Sequence, residues 1–156
     1  MALAGALDAP DVTGLSFEEE HMVSLDFALL AEYARVDPAG LVTIVGGGFD
    51  RVHAPAAGAV QQMFVAVRII LDEHEPAVPF EVKIQSPGDQ YEIGVAGVAT
   101  RSPDVQPIEG KVNFVAAIGL AVQLRTAGRY LVQILLAGEI VRHLPFVVEF
   151  AHTEST

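Results

Sequence analysis

The chain predicts an all-β fold, an immunoglobulin-like two-layer antiparallel sandwich of about eight strands. Three observations carry this. Short runs rich in Val, Ile, Leu and aromatic residues recur along the chain, separated by Gly, Pro, Asp and Ser clusters. One run alternates cleanly, with Phe80, Val82 and Ile84 facing one way and Glu81, Lys83 and Gln85 the other. That is a strand with one buried and one wet face. The last run, GRYLVQILLAGEIVRHLPFVVEF over 128–150, reads as a closing hairpin. Its opening Gly128-Arg129-Tyr130 resembles the start of a late strand in many immunoglobulin-like sandwiches.

Taken in order, residues 1–21 are Ala/Gly/Asp-rich and end in Glu18-Glu19-Glu20-His21. They read as an acidic arm outside the core. The sandwich domain is expected over 22–151, and 152–156 as a short tail. Strands are expected at 23–36, 41–53, 60–71, 80–85, 91–98, 111–124, 128–136 and 140–150. The turns between them are marked by Asp37-Pro38-Ala39-Gly40, Ala54-Pro55, Glu75-Pro76, Ser86-Pro87-Gly88-Asp89, Ser102-Pro103-Asp104 and Thr126-Ala127-Gly128. Residues 25–35 (LDFALLAEYAR) hold strong helix formers. A strand is favoured there because its surroundings are all-β and Asp37–Gly40 turns well into the next strand.

The closing hairpin raises a question of register. A two-residue turn at Gly138-Glu139 would align Tyr130, Val132 and Ile134 with Val141, His143 and Pro145. An odd loop, or a bulge, aligns them with Leu144, Phe146 and Val148 instead. A one-residue slip exchanges the faces, so the second alignment is preferred because it gives an apolar core face. The opposite face then carries Leu131, Leu135, Val141 and Val147, which are nominated as a contact surface. Runs 60–71 and 112–124 are likewise apolar on both parities. Their outer faces call for cover by the arms, a ligand or a second subunit, and a homo-oligomer is the expectation.

Composition narrows the function classes. The chain has 156 residues, 51% of them apolar, and a domain of this size buries roughly 68–70% of its unfolded surface without metal or disulfide. Nine basic residues against twenty acidic give a net charge of −11. The basic residues are scattered, so nucleic-acid binding is not expected, and neither is an anionic membrane partner. There is no cysteine, which removes disulfides, thiolate metal sites and cysteine nucleophiles. The start of the chain lacks a basic segment before a long apolar one, and a cytoplasmic protein is expected.

The chemistry-bearing residues are weakly patterned. Gly46-Gly47-Gly48 is not followed by Lys-Ser/Thr and reads as a strand bulge or close backbone approach, not a phosphate loop. Glu18–His21 and Asp72-Glu73-His74-Glu75 lack metal-ligand spacing and read as solvated acidic segments. No serine sits in a nucleophile elbow. His143 reads as an edge or interface histidine. Glu32, Tyr33, Asp50 and Arg51 form the one candidate polar cluster, with Asp50 or Glu32 expected to pair with Arg51 or Arg35. No catalytic residue, metal or cofactor is nominated.

Phe27-Ala-Leu-Leu-Ala-Glu-Tyr-Ala, Gly40-Leu-Val-Thr-Ile-Val-Gly-Gly-Gly-Phe-Asp-Arg-Val and the 128–146 hairpin together resemble a family of small uncharacterised bacterial β-sandwich proteins, a domain of unknown function. The resemblance spans about residues 23–150, and the Gly triplet and N-terminal arm depart from its pattern. It implies a sandwich and brings no activity, cofactor or site. The expected role is therefore a non-catalytic module acting by self-assembly or contacts with another protein. The alternatives are a small-ligand-binding sandwich and an unrecognised hydrolase.

Overall fold

Two sheets packed face to face make up the computed structural model, which describes residues 23–75 and 77–152. The expected acidic arm 1–21, with Glu18–His21, lies outside the described residues, as does the tail beyond His152. Nine strands are found among the described residues: β1 (Val23–Val36), β2 (Val42–Gly47), β3 (Arg51–Ala54), β4 (Ala59–Asp72), β5 (Ala77–Gln85), β6 (Glu92–Thr100), β7 (Lys111–Leu124), β8 (Gly128–Leu136) and β9 (Glu139–Phe150). One sheet has the order β2-β1-β4-β7 and the other β3-β9-β8-β5-β6.

The ninth strand corrects the expected count. Residues 41–53 are not one strand, because the chain leaves the first sheet after Gly47 and enters the second at Arg51. Gly48 makes the crossing at φ 84°, a left-handed conformation that glycine adopts without Cβ strain. Its N–H donates to the Leu30 carbonyl at 2.7 Å, tying the crossing to β1. The Gly triplet thus ends a strand, whereas the sequence suggested a bulge within one. The crossing also makes β3 parallel to β9, the exception in an otherwise antiparallel set of pairings.

Between the sheets lies one core. β4 contributes Met63, Val65, Val67, Ile69 and Leu71, facing Val78, Phe80, Val82 and Ile84 of β5 and Tyr130, Val132, Ile134 and Leu136 of β8. Each such side chain stabilises the fold by about 1.5–3 kcal/mol through burial alone. Residues 25–35 are strand, because β1 pairs with β4 over its first half and with β2 over its second.

Glycines on two of the edge strands, β6 and β7, are each covered by an aromatic ring opposite: Gly97 by Phe80 and Gly119 by Phe64. A Cβ at Gly97 would stand 2.6 Å from Phe80 Cζ, and that ring is buried. Gly97→Ala is expected to cost about 1–3 kcal/mol by overpacking, read as a lower urea midpoint. An unchanged midpoint would show that the ring moves freely.

The closing hairpin has the preferred register. Tyr130 lies opposite Phe146 and Val132 opposite Leu144, with a bulge where Ile134 pairs Arg142 and Leu135 pairs Ile140, leaving Val141 as the extra residue. The turn is Ala137-Gly138, one residue earlier than the Gly138-Glu139 alternative. Both residues have positive φ, 51° and 82°, as a primed two-residue turn requires.

Candidate functional site

The candidate polar cluster does not assemble. Arg51, on β3, reaches Glu149 of β9 at 3.1 Å, and His53 Nδ1 lies 3.4 Å from the same carboxylate. The expected partner, Asp50 or Glu32, is therefore replaced by a residue on the parallel neighbour strand. Asp50 instead offers its backbone carbonyl to the Val147 N–H at 2.8 Å. Glu32 lies over Gly46, and Tyr33 meets Phe64 edge-on at 5.3 Å. The Arg51–Glu149 pair is solvent-exposed and of small energetic weight.

The acidic run Asp72-Glu73-His74-Glu75 is a turn at the end of β4, tied to the chain around Arg101 and Gly110. Asp72 Oδ1 accepts the His74 backbone N–H at 3.0 Å, and its other oxygen lies 3.6 Å from Lys111 Nζ. The backbone donor and then the Lys111 charge hold the Asp72 carboxyl below its ordinary range. No group of three or more metal-ligating side chains converges among the described residues.

A tyrosine pair closes the β7–β8 turn. The Tyr130 hydroxyl donates to the Thr126 carbonyl at 2.9 Å. The Tyr91 hydroxyl donates to the Gln123 carbonyl, and Arg125 stands 5.3 Å over the Tyr91 ring. Burial, then the neighbouring Tyr130 hydroxyl, pushes the Tyr91 phenol up to about 12 from 10.0. The fold favours the protonated phenol, so this stabilisation is complete below pH ~10 and is lost as pH rises toward ~12. In a phenolate absorbance titration, Tyr91→Phe is expected to remove a step near the top of that window. Loss of a step near the ordinary phenol range instead would refute the assignment.

The nominated hairpin surface is more polar than its parity suggested. Leu131 and Val147 are half-buried, Leu135 is 8% exposed, and Val141, the bulge residue, is 40% exposed. Around them on the outer side of the five-stranded sheet lie Arg129, Gln133, Lys83, Glu81 and Glu92, with Lys83 near both glutamates at 3.7 and 3.9 Å. His143 is exposed on β9 opposite Gln133.

The apolar outer surface belongs to the other sheet. There the far half of β1 and β2 curl over β4 and β7, burying Ala31, Ala34 and Ala66 with Val42, Ile44, Phe64 and Ala117. Part of the cover that the sequence left to the arms, a ligand or a second subunit is thus supplied by the chain's own β1–β2 hairpin. Beside the hairpin tip is a cavity of about 650 Å³, with Phe27, Leu41, Val42, Val105, Phe114 and Val115 among its apolar lining and Thr100, Ser102 and Asn113 among its polar lining. Arg68, held by Asp26, borders it.

The feature that sequence reasoning missed is the flank of β7. This strand pairs with β4 along fourteen consecutive residues without a bulge, and on its other side no described strand pairs with it. From Val112 to Leu124 it carries no charge and no proline. The other edges are guarded. β2 is six residues and β3 four, the latter with Arg51 and His53. β6 has two glycines and Glu92, and the portion of β9 beyond β3 carries Glu139, Arg142, His143 and Pro145. Short length, charge and proline are the usual protections of a sheet edge, and β7 beyond its first residue, Lys111, has none of them.

No helix among the described residues is long and apolar enough to cross a membrane. No curated protein matches the chain. A family model described as a family of unknown function (DUF6941) matches residues 26–149, nearly the whole of the two-sheet structure and in line with the resemblance read from its strands. The chain belongs to that family.

Proposed function

We propose that this protein is a non-catalytic, immunoglobulin-like sandwich that acts through protein–protein contacts, self-assembly foremost. The immunoglobulin-like reading is supported by the strand orders and by the parallel pairing of an early strand, β3, with the last, β9. It is supported too by Tyr130, near the start of β8, bonded back to a carbonyl four residues upstream. Contact is the function favoured by one observation: the unguarded flank of β7, a row of backbone donors and acceptors beside uncharged side chains.

Light scattering across a wide concentration range tests this reading. A mass above that of one chain, rising with concentration, is the expected result. A monomer at every concentration would remove self-assembly.

A second reading, a small-ligand sandwich, is favoured by the cavity beside the β1–β2 hairpin. Its volume and mainly apolar lining fall in the range of ligand sites. Saturable binding of an apolar fluorescent probe, abolished by Val115→Trp, would move weight to it.

A further inference from the structure

We propose that β7 pairs antiparallel with β7 of a second copy, about a two-fold axis passing through Ala117, to join two four-stranded sheets into one. The proposal rests on the self-assembly reading and adds the surface, its partner and its register.

The available flank is itself centred on Ala117. At one end Lys111 is engaged by the bridge to Ile108 and by Asp72. At the other the Gln123 carbonyl is taken by the Tyr91 hydroxyl. The stretch between, from Asn113 to Ala121, has Ala117 as its midpoint.

Face matching is compatible with the same axis. Phe114, Ala116, Ile118, Leu120 and Val122 point into the core, and the intervening residues point to the outer side. Two antiparallel copies keep inward residues opposite inward ones only when the axis passes through a residue. With the axis on Ala117, Phe114 meets Leu120 and Ala116 meets Ile118 on the core side, large against smaller. On the outer side Val115 meets Gly119 and Asn113 meets Ala121. Shifting the axis to Ile118 would set Ile118 against itself and Lys111 against Arg125, a like-charge pair.

Local charge on β7 does not oppose a second copy. The chain carries −11 overall, so two copies repel where acidic surface meets acidic surface. β7 from Val112 to Leu124 adds no charge to that repulsion, and an isologous contact through it closes as a dimer without open growth.

The absence of native cysteine allows a direct test on the full chain. Asn113 and Ala121 are exposed, so N113C/A121C is expected to fold. Under oxidised glutathione it should give a covalent dimer on a non-reducing gel, whereas N113C/Q123C should remain largely uncrosslinked. Crosslinking of N113C/Q123C alone would overturn the Ala117 axis. A dimer in solution with neither variant crosslinked would overturn the β7 contact and leave self-assembly standing. A monomer by light scattering at every concentration would overturn both.

Discussion

Replacing Tyr130 by alanine is expected to destabilise the domain by about 3–5 kcal/mol, the range for removing a large buried ring. Tyr130 is fully buried, and its ring stacks on Phe146 at 5.2 Å with an interplanar angle of 16°. Its hydroxyl also satisfies the Thr126 carbonyl in the turn that admits the chain to β8. Two contributions are therefore lost together, packing between β8 and β9 and the closure of the turn. Tyr130→Phe separates them by keeping the ring, and should cost only about 0.5–1.5 kcal/mol. Urea unfolding measures both, with a lower midpoint at similar slope. An alanine variant within 1 kcal/mol of the parent, roughly the size of an ordinary substitution, would mean the site collapses around the void.

Enlarging Ala66 to leucine is the second large effect, and it acts on the opposite side of β4. Ala66 and Ala31 are fully buried although both point away from the main core, because the β1–β2 hairpin lies over them. Three extra carbons in that seam cost about 1–3 kcal/mol, and the hairpin is the element able to yield. Hydrogen exchange is expected to quicken at β2 amides while the interior of β4 keeps its protection. Uniform loss across the domain would show that the hairpin and sheet unfold as one unit. Ala66→Gly controls for volume and should leave the hairpin in place.

Much of the fold was legible because apolar parity reports directly on faces. Phe80, Val82 and Ile84 alternate with polar residues and are buried as the alternation requires. Tyr130, Val132, Phe146 and Val148 share the core side because the only alternative alignment placed His143 and Pro145 there. The break at Gly48 was not legible. Val42 and Ile44 before it and Val52 and Ala54 after it continue one apolar rhythm, and only the three-dimensional partners reveal two sheets.

The candidate site was less legible, for a related reason. β4 and β7 have similar apolar compositions, yet among the described strands β4 is paired on both sides and β7 on one. Edge position is a property of topology, and nothing in thirteen neutral residues from Val112 to Leu124 announces it. The self-cover of Ala66 by the β1–β2 hairpin is equally a tertiary fact. Outer-face apolarity in the sequence was therefore assigned to an external partner more widely than the packing requires. The Arg51–Glu149 pair shows the same limit, since ninety-eight positions separate its members.

The crossing at Gly48 has a mechanical consequence. It delivers β3 alongside β9 in parallel, with Arg51 beside Val147 and Ala54 beside Phe150. Tension that pulled the chain before Arg51 away from the chain after Phe150 would slide these strands lengthwise. Their hydrogen bonds would then bear the load together and not open one by one. A pull applied at those two points meets a clasp at this short pairing.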